Sequence, residues 1–167
     1  GETLQKKMLP TEIWQSLPQC KSTWGRNQLL KLNSGAHVLF DGYNANFEST
    51  SALVKSLFEF DLPGKKMAVI GQMLELGENS EELHEQLGEL VAMINFDEVW
   101  FIGEDRAAFE RGMRRGGFDK NLILSDSYEE SLALRLGRML NQQDVAVIKG
   151  SRGMKMERVL DAWQSIN

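Results

Sequence analysis

The chain has 167 residues with a formal net charge of -5, and 42% of them are hydrophobic and 26% charged; this suits one folded domain of ordinary size with a full core. No apolar run approaches the roughly 20 residues of a bilayer-spanning helix, and an acidic balance argues against general nucleic-acid binding, which depends on neutralising phosphates. A single cysteine, Cys20, and two histidines, His37 and His84, exclude an internal disulfide and a Cys/His metal centre, and a reducing, cytoplasmic setting is expected.

Residues 4–17 are loosely helical in pattern, with Pro10 where a helix would start and Pro18 ending it before the polar run 19–23. A tail or linker is expected there. Beyond it, apolar runs alternate with helical patterns to the end of the chain, which predicts an α/β fold with a largely parallel sheet. Strands are expected at 28–32, 37–40, 67–70, 98–102, 121–124 and 145–148. The first two are joined by Asn33-Ser34-Gly35, a good turn sequence, and should form a hairpin. Residues 81–94 carry Leu83, Leu87, Leu90, Val91 and Ile94 at i, i+4, i+7, i+8 and i+11, one face of a helix. Leu132, Ala133, Leu136, Met139 and Leu140 repeat that geometry, with Ser127 and Glu130 as a capping box ahead of them. Met156, Val159, Leu160 and Trp163 mark a last helix. These stripes are core, and the Met and Trp content requires no cofactor.

Three segments at predicted strand ends carry chemistry, and open α/β sheets bind ligands outside the carboxyl ends of their strands. The first is Asp41-Gly42-Tyr43-Asn44-Ala45-Asn46. Its side chains either build the turn and cap the next helix or contact a ligand. The second, Lys149-Gly150-Ser151-Arg152-Gly153-Met154-Lys155, opens the last helix. It joins permissive glycines to cations, so it is either a solvated helix start or an anion site. The third is the loop from Gly71 to Ser80, where Glu75 can orient a substrate amine or a water. His84, next to an apolar stripe, reads as a boundary histidine rather than a general base. Arg26 is either a phosphate or ribose contact or a surface arginine. A G-x-x-x-x-G-K-[ST] loop, a G-x-G-x-x-G turn and a G-x-S-x-G elbow are all missing from the sequence, so a self-contained nucleotide hydrolase, dehydrogenase or serine hydrolase is not expected.

Together these segments resemble the C-terminal domain of the Mur ligases. Gly25-Arg26 followed by Asp41 to Asn46 is similar to that family's G-R…D-S-Y-N-A-N. Gly71 to Gly77, with His84 after it, is similar to G-D-M-L-E-L-G…H, and Lys149 to Arg152 with Met156-Glu157 is similar to K-G-S-R…M-E. The match runs over about residues 21 to 163. The resemblance implies a Rossmann-like, mostly parallel six-stranded sheet flanked by helices, closing over a central ATPase domain. It implies the ligation of D-alanyl-D-alanine to UDP-N-acetylmuramoyl-tripeptide in peptidoglycan precursor synthesis. There ATP phosphorylates the peptide carboxylate, the dipeptide amine attacks the acyl phosphate, and Mg²⁺ is held mainly by the central domain.

In that scheme Arg26, Asp41, Tyr43, Asn44 and Asn46 bind ATP, with Asp41 at the ribose hydroxyls, while Lys149, Ser151, Arg152 and Glu75 bind substrate. Residues 1–20 would be the tail of the central domain or a linker and 21–167 the closing domain, an excised piece inactive alone. Two positions depart from the family pattern: Gln72 replaces an acidic residue and Gly42 a serine. These fit an ordinary divergent ligase or a degenerate relative with altered substrate; the alternatives are another Mur-type ligase of murein-peptide recycling, or a stand-alone Rossmann-like module that binds a nucleotide or partner without catalysis.

Overall fold

The computed structural model describes residues 6–7, 28–42, 45–58, 60–61 and 63–166. Its strands are β1 (Lys6–Lys7), β2 (Gln28–Lys31), β3 (His37–Asp41), β4 (Phe60–Asp61), β5 (Lys66–Gly71), β6 (Glu98–Ile102), β7 (Asn121–Ser125) and β8 (Val145–Lys149). Its helices are α1 (Phe47–Phe58), α2 (Ser80–Ala92), α3 (Arg106–Arg115), α4 (Glu130–Gly137) and α5 (Glu157–Gln164). Each apolar run predicted as a strand is one, and β3, β7 and β8 each take in one further polar residue that completes the ladder at the strand end. Asn33-Ser34-Gly35 does close a hairpin: β2 and β3 are antiparallel, Gly35 has φ of +96°, and its N–H donates to the Leu32 carbonyl at 2.9 Å.

The six-stranded sheet has the order β2-β3-β8-β5-β6-β7, parallel except for β2. The chain steps from β3 through β5 and β6 to β7 and then returns to insert β8 between β3 and β5. Right-handed crossovers put helices of outward and returning steps on opposite faces. Accordingly Leu39, Ile70, Phe101 and Val147 pack with Leu53 and Leu57 of α1, Leu87 and Val91 of α2, and Phe109 and Met113 of α3. On the other face Phe40, Val69, Trp100 and Ile148 pack with Leu132 and Leu136 of α4 and Val159 and Trp163 of α5. The chain therefore leaves β8 toward one face and leaves its neighbours β3 and β5 toward the other. Such a divergence opens a crevice at the carboxyl end of a parallel sheet.

Three local expectations differ from what is observed. The capping box of Ser127 with Glu130 does not form: α4 starts at Glu130, its N-cap is Glu129, and Glu130 accepts from the Tyr128 hydroxyl at 2.6 Å instead. Tyr128 is placed between Trp100 and Arg158, and this tertiary packing claims the carboxylate that a local cap would have used. Lys6–Lys7, in the stretch read as loosely helical, pair in parallel with Phe60–Asp61, so a non-local partner overrides a weak helical pattern. The last helix starts only at Glu157, after a 3₁₀ turn at Arg152–Met154 and a left-handed Lys155 with φ of 52°.

Candidate functional site

The ends of β3, β8 and β5 lie side by side, so the three segments singled out by their residues converge at one edge of the sheet. Asp41 and Lys149 are register partners on adjacent parallel strands, and both side chains leave on the α1 face, two residues beyond Leu39 and Val147. Lys149 Nζ donates to Asp41 Oδ2 at 2.7 Å. Lys149 is 2% exposed and Asp41 7%, so this is a buried ion pair. Burial pushes the Lys149 ammonium below the usual lysine range, and the Asp41 carboxylate opposes that shift. The Gly150 N–H donates to the Asp41 carbonyl at 3.1 Å, extending the ladder past the strands. Asp41 Oδ1 and Ser151 Oγ are also buried, and neither has a hydrogen-bond partner among the described residues. A buried carboxylate oxygen without a donor is costly, and a hydroxyl or N–H is the chemistry that would satisfy it.

The other predicted residues take distinct places. Arg26, Tyr43 and Asn44 lie outside the described residues. Asn46 caps α1: its Oδ1 accepts the Ser49 N–H at 2.7 Å, and Ser49 Oγ accepts the Asn46 N–H at 3.3 Å. The capping role weighed for this residue is thus the one its acceptor performs here. Lys149 is committed to Asp41 and buried, whereas Arg152, at the head of the 3₁₀ turn, is exposed. Glu75 is exposed and left-handed, with φ of 62°. The loop that carries it touches the β8 loop: a Cβ added at Gly71 would lie 2.9 Å from Met156 Sδ and 3.3 Å from Met154 Cγ.

The two departures from the family pattern have local counterparts. A Cβ at Gly42 would lie 2.7 Å from Phe40 Cζ, so the usual serine requires that fully buried ring to move. Gln72 Oε1 accepts the Asp105 N–H at 2.8 Å while the Gln72 N–H donates to the Ile102 carbonyl at 2.9 Å. The neutral amide therefore ties the β5 loop to the start of α3. His84, read from sequence as a boundary residue, is fully buried. No local signal separates the two cases, because burial there depends on the loop folding over the helix. Among the described residues no group of three or more His, Cys, Asp or Glu side chains could hold a metal ion, and no helix is long and apolar enough to cross a membrane.

Comparison with known proteins points in one direction. The family model described as Mur ligase, glutamate ligase domain, matches residues 25–152. The UDP-N-acetylmuramoyl-tripeptide--D-alanyl-D-alanine ligase of Escherichia coli (strain K12) is 34% identical over 156 residues, covering 91% of this chain and 32% of that protein. The ligase of the same name from Bacillus subtilis (strain 168) is 30% identical over 151 residues, covering 90% and 33% respectively. Among solved structures, the MurF ligase of Thermotoga maritima in complex with ADP superposes with a TM-score of 0.68 at 32% identity, covering 87% of this chain and 32% of that one. MurF from Acinetobacter baumannii superposes with a TM-score of 0.72 at 25% identity, covering 91% and 33%. The chain spans about a third of the length of the curated relatives it matches.

Proposed function

The chain belongs to the Mur ligase family, and on that premise we propose that it is the closing domain of an ATP-dependent ligase that joins D-alanyl-D-alanine to UDP-N-acetylmuramoyl-tripeptide in the cytoplasm. The observation that carries this reading is the meeting of the β3, β5 and β8 loops around the buried Asp41–Lys149 pair, with Asp41 Oδ1 buried and without a hydrogen-bond partner among the described residues. In the proposal Asp41 receives the ribose hydroxyls of ATP, and Lys149 holds that carboxylate oriented. Arg26, Tyr43 and Asn44 complete the nucleotide side, with Asn46 shaping it as the cap of α1. Arg152 and Ser151 face the carboxylate of the incoming dipeptide, where a guanidinium gives two parallel charge-assisted bonds. Glu75 orients the dipeptide amine.

The peptide carboxylate is phosphorylated by ATP, and the amine then displaces phosphate to form the amide, which requires exclusion of water from the acyl phosphate. A domain that binds at its sheet edge and closes supplies orientation and desolvation. Mg²⁺ and the phosphate cradle would come from a central ATPase domain, as the family resemblance implies. Residues 21–167 would be the closing domain and 1–20 its connection to the central one.

Amide formation from ATP, Mg²⁺, UDP-muramoyl-tripeptide and D-alanyl-D-alanine, assayed with the complete gene product beside the 167-residue chain, tests the reading. Ligation by the complete product is expected, with Asp41→Ala raising the KM for ATP and Arg152→Ala the KM for the dipeptide. A complete product that binds ATP yet forms no amide would overturn it in favour of a degenerate binding module.

A further inference from the structure

His84 touches none of the residues assigned above to ATP or dipeptide, yet its fully buried ring joins the β5 loop to the start of α3. Its Nδ1 lies 2.7 Å from the Ser80 carbonyl, an acceptor, so Nδ1 carries the proton. Its Nε2 lies 2.9 Å from the Met73 N–H, a donor, so Nε2 presents a lone pair. Both contacts require the neutral ring. Asp105 Oδ2, the charged group facing the ring, is 3.3 Å from Nδ1 and accepts from Ser80 Oγ at 2.5 Å. Phe101 packs edge-on against the imidazole with centroids 5.6 Å apart. Burial pushes the His84 pKa down, against the opposing pull of the Ser80 carbonyl and the Asp105 carboxylate, in keeping with the neutral form.

The consequence concerns the loop. Gln72 is tied at both its N–H and its side chain, and the Met73 side chain is 1% exposed in the core. The Met73 N–H would be a buried orphan without His84. Beyond this anchor the chain turns outward, and Glu75 sits exposed in a left-handed conformation that an ordinary side chain disfavours.

We infer that His84 is a positioning residue for the proposed ligation: its Nε2 lone pair holds the Met73 N–H so that the loop presents Glu75 to the incoming amine. This rests on the ligase reading for its kinetic part, but not for its structural part. Asparagine keeps a donor near the Nδ1 position and loses the acceptor at Nε2, whereas glutamine carries an acceptor out to the Nε2 position. His84→Asn and His84→Gln therefore separate the Met73 contact from the rest of the ring's packing.

Amide hydrogen exchange on the full chain should show the Met73 protection factor falling about tenfold in His84→Asn, the scale of one buried hydrogen bond, and within about threefold of wild type in His84→Gln. The Val69 and Val147 amides, in the sheet, should stay protected in both. In the complete gene product, His84→Asn should raise the KM for D-alanyl-D-alanine about tenfold and leave the KM for ATP within about twofold, with His84→Gln restoring most of the loss. Unchanged Met73 protection in His84→Asn, equal losses in both variants, or lost protection with unchanged kinetics would each overturn the assignment. Absence of ligation with His84 intact would defeat the ligase reading alone, because the exchange measurement would still decide the anchor.

Discussion

Removing the Asp41 carboxylate by Asp41→Ala strands the Lys149 ammonium, 2% exposed, beside a methyl group. Breaking a buried ion pair at one partner typically costs about 3–5 kcal/mol. Here the cost has a ceiling, because the lysine can fold neutral. Giving up a proton that an unfolded lysine holds to about pH 10.4 costs about 4.6 kcal/mol at pH 7 and only about 1.9 kcal/mol at pH 9. The sign follows from proton counting. In the variant Lys149 has a folded pKa depressed further below its unfolded value, so the unfolded chain binds more protons. Stability must then rise with pH between the two values, by up to about 1.4 kcal/mol per unit.

Urea unfolding of wild type and Asp41→Ala at pH 7 and pH 9 reads this directly. The variant should lose about 3–4.6 kcal/mol at pH 7 and no more than about 1.9 kcal/mol at pH 9. The double variant Asp41→Ala/Lys149→Met, which removes both charges, should stand close to or above wild type at both pH values. A loss below about 1 kcal/mol with no pH dependence would refute the reasoning, since it would mean that water reaches the ammonium freely.

Two further substitutions probe the frame around the site. Gly112 lies where α3 crosses α2, and a Cβ there would run into the backbone carbonyl of Glu85 and lie 3.0 Å from the Glu89 nitrogen. Gly112→Ala should therefore destabilise by about 1–3 kcal/mol in thermal or urea unfolding; a gain of about 1 kcal/mol, the helix-propensity effect alone, would show that the helices do not pack this closely. Asn46→Ala removes the oxygen that caps α1 and should cost about 1 kcal/mol, with Asn46→Asp near wild type. Equal unfolding midpoints for Asn46→Ala and wild type would mean that the cap adds nothing.

The order of elements and the location of the candidate site were legible in local pattern, because strand and helix periodicities are properties of neighbouring residues. The apolar runs ending at Phe40, Ile70 and Ile148 marked strands, and the polar residues after them marked strand ends. The turn Asn33-Ser34-Gly35 announced its hairpin, and the stripe from Leu83 to Ile94 its helix, which stops at Ala92 and is followed by the left-handed Asn95. The three motif segments were found one by one on the same local grounds.

What joins them is not local. Asp41 and Lys149 stand 108 positions apart in the chain, and they meet only because β8 returns to insert between β3 and β5. Nothing within either segment indicates that the lysine would be buried against the aspartate rather than offered to solvent. Tertiary packing likewise drew Glu130 from a local cap toward Tyr128, turned Gln72 into a tie between two loops, and closed the Met73 loop over His84. The sequence by itself determined which residues form the strands of the six-stranded sheet and the apolar helix stripes, because backbone sterics and apolar spacing act over a few residues. Only the tertiary structure decided which polar groups lose water together, because desolvation and charge pairing depend on distance in space and on the order of strands in the sheet.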